Sequence, residues 1–260
     1  MGGTMKVPHD PWPTDEAEAL RQQLALRERV EPTGPPLAAR TAAGLDVSYD
    51  DETGEAVAAV VVLDLATLAV VEAVSLAGHV TFPYVPGLLA FRELPLLVDA
   101  LERLHGRTPP DVLVCDGYGL AHPRRFGLAC HLGVLTGLPT FGVAKTPFIG
   151  AGGESSASPH PEGHDLPEGH NDEPPAKRTP RPGPGRGDWS PLTEDGEVLG
   201  RVVRTQPKVK PVFVSVGHRI DLDTATAITL ALTPRFRLPE TTRRADQFSR
   251  RLLRARRAAR

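Results

Sequence analysis

The chain's 260 residues, 40% of them apolar, can bury the core of one sizeable α/β domain, while no apolar run nears the ~18–20 residues of a bilayer span, so no membrane role is expected. A formal net charge of −2 leaves nucleic-acid binding illegible in the overall charge balance. Cys115 and Cys130, both in apolar runs, are too few for a disulfide framework or a zinc knuckle, and the first residues hold no basic-then-apolar leader, so a cytoplasmic location is expected.

Residues 15–30 read as an opening helix: Asp15 and Glu18 have capping-box spacing, and Ala17, Leu20 and Leu24 make an apolar stripe. Valine-rich strands follow at 43–49, 57–63 and 68–76, joined by segments short enough for antiparallel hairpins. A proline-flanked loop, 83–87, leads into a helical segment that the Leu94–Pro95 step should bend or restart before Leu104. Residues 111–115 read as a buried strand ending in Asp116. A helix near 124–136 and a second buried strand at 140–143 come next. Three antiparallel strands and then alternating helix and strand predict an α/β mixed sheet with a parallel half, flanked by helices. The ribonuclease H-like fold has this order, although periodicity alone does not separate it from other α/β topologies.

One domain over 1–260 is expected, with an insertion and a tail. Residues 151–188 hold eight prolines and a single large apolar residue, Leu166, which reads as a disordered insertion. Its His160, His164 and His170, with Glu162, Asp165 and Glu168, are taken as a solvated loop rather than a chelating cluster. Order resumes near Trp189, with strands at 197–204 and 211–215 and a helix from about 221 to 232. From 243 to 260 eight arginines face one acid, Asp246. Such a tail suits a phosphate backbone, and suits equally a solvated helix or a frayed terminus.

Three acids stand out in this order. Asp46 sits mid-strand between Leu45 and Val47, where a carboxylate is costly unless paired or metal-bound. Asp116 ends a strand, where open α/β sheets place their sites, and Glu93 projects from the helical segment. Singly each has an ordinary reading: a strand-end Asp before Gly117 as a turn former, a helical Glu beside Arg92 as a surface charge. In a ribonuclease H-like layout the first and fourth strands are neighbours, so Asp46 and Asp116 would lie together with Glu93 in reach. Oxygen ligands of that kind suit a hard divalent cation that promotes phosphodiester hydrolysis.

Several stretches carry a closer resemblance. They are Ala43-Gly-Leu-Asp-Val-Ser-Tyr49, Pro83-Tyr-Val-Pro-Gly87 continuing to Glu93, Asp116-Gly-Tyr-Gly-Leu-Ala-His-Pro-Arg124 continuing to Gly133, Phe141-Gly-Val-Ala-Lys145, Lys210 to Arg219, and Arg237-Leu-Pro-Glu-Thr-Thr-Arg243. In this order the chain from about Val30 to Arg250, outside the insertion, resembles the endonuclease V family. Val216 stands where the family pattern leads us to expect proline, and the residues after Lys145 depart from its usual continuation.

The resemblance implies a Mg²⁺-dependent nuclease, with Mn²⁺ able to substitute, acting on DNA that contains deaminated bases, chiefly deoxyinosine. It implies cleavage at the second phosphodiester 3′ to the lesion. Asp46, Glu93 and Asp116 would be the metal-binding catalytic acids, and Lys145, His122 and His218 would serve around the scissile phosphate. Tyr84, held by Pro83, Val85 and Pro86, would be the wedge that fills the stack when a base rotates out. Gly87, Leu89 and Gly117 would line the base pocket. Inosine-containing RNA is the nearest alternative substrate, and a non-catalytic nucleic-acid-binding module of the same fold is the alternative from another class.

Overall fold

The valine- and alanine-rich segments become the centre of one sheet. In the computed structural model, which describes residues 5–105, 109–149 and 181–260, three hairpin-linked strands come first: β1 (Thr41–Tyr49), β2 (Glu55–Asp64) and β3 (Val70–His79). β4 (Val112–Cys115) joins β1 in parallel and β5 (Thr140–Ala144) extends β4 in parallel. β6 (Trp189–Glu194), β7 (Glu197–Val203) and β8 (Val212–His218) complete an eight-stranded sheet of the described residues, in the order β3-β2-β1-β4-β5-β8-β7-β6. The sheet is mixed, as the ribonuclease H-like order requires. β3 starts at Val70 rather than at the expected residue 68, because Asp64 accepts N–H groups of Ala66 and Thr67 and Leu68 turns left-handed at φ 57°.

Helices cover both faces. α1 (Glu16–Arg27) begins at Asp15, whose side chain accepts the Glu18 N–H at 2.8 Å, and packs with α2 (Leu89–Leu101) and α3 (Leu128–Thr136) on one side. There Leu94, Leu97 and Leu132 meet Ala43, Leu45 and Cys115 of the sheet. α4 (Leu222–Ala231) and α5 (Glu240–Ala258) take the other side, where Ile228 and Leu232 meet Val112, Val114 and Val214. Cys115 and Cys130 are buried free thiols, used as packing. No helix among the described residues is long and apolar enough to cross a membrane.

Two expectations change, and the arginine-rich tail takes one of the forms expected for it, a helix. α2 runs through Pro95 without the expected restart, since Leu94, Leu96, Leu97 and Val98 are all buried and their packing outweighs one lost backbone hydrogen bond. The arginine-rich stretch lies in α5, whose Thr242, Ala245, Ser249 and Leu253 are buried while its arginines turn outward; Arg257 pairs with Asp50 at 2.6 Å and Arg256 with Glu55 at 3.4 Å. Residues 181–188, expected to belong to the disordered insertion, are instead held in place: Gly187 donates to the Arg204 carbonyl at 2.8 Å and Arg186 to that of Leu230 at 2.6 Å. The rest of the insertion, with its histidines, lies outside the described residues.

Candidate active site

Parallel pairing of β1 and β4 ends with Leu45 opposite Cys115, so the next residue on each strand is an acid, Asp46 beside Asp116. Alternation turns both to the face of Ala42, Val112 and Val114, the side covered by α4 and α5. Gly44 lets α5 come down close to β1: a Cβ there would stand 2.2 Å from the Thr241 carbonyl carbon. That approach brings Ser249 onto Asp46, with Oγ donating to Oδ2 at 2.6 Å and the Ser48 hydroxyl 2.8 Å from that of Ser249. Burial above all pushes the Asp46 carboxyl up to about 6. The Ser249 hydrogen bond and Lys145 pull it down, while the charges of Asp246 and Asp116 push it further up.

Glu93 reaches the same end of the sheet from α2. Its carboxylate accepts the Tyr49 hydroxyl, whose ring lies under the Arg92 guanidinium at 4.8 Å. Burial pushes Glu93 up to about 8, and repulsion from Asp46 and Asp116 adds to that. Lys145, the residue after β5, donates to Asp116 Oδ2 at 2.5 Å, and Arg237 holds the Lys145 carbonyl at 2.7 Å. Ser249, Tyr49 and Lys145 thus draw the three carboxylates to separate partners. No three His, Cys, Asp or Glu side chains among the described residues stand close enough to form a ready metal cage. The donor chemistry nonetheless fits a hard divalent cation. It is all oxygen, and two of the acids are raised by burial and mutual repulsion that positive charge would relieve.

Beside the acids, Pro83, Tyr84 and Pro86 are exposed at a loop tip, Tyr84 at 62%, while Val85 packs inward against Phe82 and Phe91. The loop is anchored at Gly87, which sits at φ 81°. Its carbonyl accepts Gln23 Nε2 at 3.0 Å and Arg124 Nη2 at 2.8 Å, with His122 Nε2 at 3.1 Å. Because His122 Nδ1 accepts the Arg124 N–H at 3.1 Å, the hydrogen-bond network assigns the ring proton to Nε2, which donates to Gly87. Burial first, then the charges of Arg124 and Arg125, bring His122 down to about 4, so the ring is neutral at pH 7. His122 therefore ties the loop down through the Gly87 carbonyl. Leu89 opens α2 just past that anchor, and Gly117 follows Asp116 with only Leu128 nearby, at 3.7 Å from a Cβ built there. Tyr118, stacked on Phe148 at 5.0 Å, is raised by burial and then by the charges of Asp116 and Tyr84, so the exposed ring and the acids share one neighbourhood.

His218 is not part of this neighbourhood. It pairs with Thr140 at the start of β5, five residues before Lys145, roughly 16 Å along the strand. Its Nδ1 accepts the Glu31 N–H at 3.2 Å and its Cβ would lie 2.3 Å from one built on Gly133, a packing role that replaces the expected place near a phosphate. Two residues missed in the sequence take part instead: Ser249 and Asp246, one turn apart on α5. Their signal was visible as the one acid within the arginine run, but only the docking of α5 shows what it faces.

Comparison with known proteins gives the chain a family. The family model "Endonuclease V" matches residues 18–247. An endonuclease V of Streptomyces avermitilis is 52% identical over 252 residues, 96% of this chain and 97% of that protein. Its crystal structure superposes with a TM-score of 0.79, covering 97% of this chain and 98% of that one at 51% identity. Endonuclease V of Ciona intestinalis, solved in complex with a 24mer DNA containing an inosine followed by a ribo-adenosine, is 30% identical with a TM-score of 0.72 over 92% of this chain and 98% of that one. With its sequence and its fold both matching, the chain belongs to the endonuclease V family.

Proposed function

We propose that this nuclease hydrolyses the second phosphodiester 3′ to a deaminated base in DNA, chiefly deoxyinosine, leaving a 3′-hydroxyl and a 5′-phosphate. The observation that carries the reading is Asp46 beside Asp116 where the parallel pairing of β1 and β4 ends, with Glu93 and Lys145 at the same place. Asp46, Asp116 and Glu93 are the residues that would hold Mg²⁺, which when bound supplies positive charge to the attacking and leaving oxygens. Water oxygen bonds to phosphorus and loses a proton, while the bond from phosphorus to O3′ breaks and O3′ takes one up.

The chain's own groups position the substrate. Lys145, free to exchange Asp116 for a phosphate oxygen, neutralises charge on the scissile group. Tyr84 fills the gap left by a rotated base, and its loop keeps its place because Gly87 is tied to Gln23, His122 and Arg124. Hypoxanthine offers N1–H as donor and O6 as acceptor, so main-chain groups near Gly87, Leu89 and Gly117 are suited to read it. Comparing nicking of a duplex carrying one inosine with its adenine twin, with and without Mg²⁺, tests this reading; equal cleavage of the two would overturn it.

A second reading, cleavage of inosine-containing RNA, has one observation in its favour. The Ciona relative was crystallised with a ribonucleotide directly after the inosine. Rates on matched DNA and RNA strands separate the two.

A further inference from the structure

The turn between α4 and α5 presents Phe236, 40% exposed, beside two arginines: the Arg243 guanidinium stands 4.4 Å from its ring centroid and that of Arg235 5.5 Å. The core does not need this ring. Arg235 is exposed and makes no ion pair among the described residues, so one full positive charge sits beside a partly exposed ring. The turn is also rigidly placed. Its next residue, Arg237, donates to the carbonyls of Lys145 at 2.7 Å, Pro211 at 2.9 Å and Lys210 at 2.8 Å, and its own carbonyl accepts the Thr205 hydroxyl at 2.8 Å. These partners lie at the carboxyl ends of β5 and β7 and the start of β8, the end of the sheet that holds Asp116. Arg243 precedes Asp246 by three residues on α5, about 4.5 Å along the axis and on the same side of the helix.

The acids therefore stand between two aromatic groups on opposite faces of the sheet. Tyr84 is tethered through Gly87 to α1 and the α3 side, and Phe236 belongs to the α4–α5 side. A strand laid across the carboxyl ends of β4 and β5, from the Tyr84 loop past Asp116 and Lys145, would run toward the turn that Arg237 ties to Lys145. We propose that Phe236, with Arg235 and Arg243, is a stacking and phosphate platform for the nucleotides on the 3′ side of the cut. Aromatic rings accept any base face and arginine adds charge for the backbone, so the platform adds affinity without sequence preference. The polarity of this assignment rests on the proposed cleavage 3′ to the lesion.

The test uses the full chain and two labelled inosine-containing single strands, one with about ten nucleotides beyond the cut, within the span such platforms cover, and one ending a single nucleotide beyond it. Anisotropy gives binding without divalent metal, and nicking in Mg²⁺ gives KM and kcat. Phe236→Ala should weaken binding of the long strand and raise its KM about tenfold. Shortening the strand should cost the wild type a similar factor, and the two losses should not multiply. Phe236→Trp should restore the long-strand advantage. A variant that loses the same factor on both strands, or on neither, overturns the platform. Failure of the parent reading looks different: the wild type would not nick the long inosine strand at all, while the binding comparison would still decide on Phe236.

Discussion

Ser249 of the last helix donates its hydroxyl proton to Asp46 of the first strand across 2.6 Å, joining two ends of the chain at the point where the acids gather. The bond fixes Oδ2 of Asp46 and offsets part of the cost of burying its charge. Ser249→Ala should therefore leave Asp46 more readily protonated and less well aimed. We expect the Mg²⁺ concentration for half-maximal nicking to rise about tenfold, since hydrogen bonds to charged groups contribute about 1.5–3 kcal/mol. Titration of nicking against Mg²⁺ and direct measurement of Mn²⁺ binding check this; an unchanged metal requirement would remove Ser249 from the account.

Gly44 is the residue that lets α5 approach, with a built Cβ only 2.2 Å from backbone atoms of Thr241. Gly44→Ala should force helix and strand apart, costing about 1–3 kcal/mol as overpacked sites do. Thermal unfolding reads the loss of stability, and nicking should fall with it because Ser249 and Asp246 move away from Asp46. A variant as stable as wild type would show that the helix yields without cost.

His122 gives a pH dependence with a definite sign. Its folded-state pKa, about 4, lies below the ordinary histidine value of 6.5, so its contribution to stability is intact above pH 6.5 and is lost as pH falls toward 4. The full difference is about 3 kcal/mol. Urea unfolding between pH 7 and pH 4 should show this loss in the wild type and a shallower one in His122→Asn. Parallel curves for the two proteins would contradict the buried neutral imidazole.

Gly87→Ala tests the anchoring of the Tyr84 loop separately from chemistry. At φ 81° an alanine is strained, and its Cβ would stand 2.5 Å from Arg124 Nη2. The expected result is a higher KM for inosine-containing DNA with kcat much less affected. A drop confined to kcat would move Gly87 from substrate binding to the catalytic step.

Much of the fold and of the acid pair is legible in the amino-acid sequence. The strands and their order follow from local valine runs, and the pairing of the strands that carry Asp46 and Asp116 follows once that order is matched to a ribonuclease H-like layout. What the sequence hides is tertiary. Nothing in the arginine run from Arg243 says that Ser249 and Asp246 face Asp46, because the close approach depends on Gly44 some two hundred residues away in sequence. His218 misleads because a histidine after a strand and a glycine looks like a loop residue. In the structure it ends β8 at the far end of β5, turned toward Gly133 and Glu31. Pro95 misleads because a local rule is outweighed by four buried apolar neighbours in α2.

The central claim is that Asp116 belongs to a divalent-cation site that cuts nucleic acid beside a deaminated base. The most direct measurement is nicking of a labelled duplex carrying one inosine by wild type and Asp116→Ala, each with and without Mg²⁺, alongside binding of the same duplex. The account predicts nicking by wild type only with Mg²⁺, no nicking by the variant, and largely retained binding by both. Wild-type-like nicking by Asp116→Ala, or nicking by wild type that ignores Mg²⁺, would contradict it.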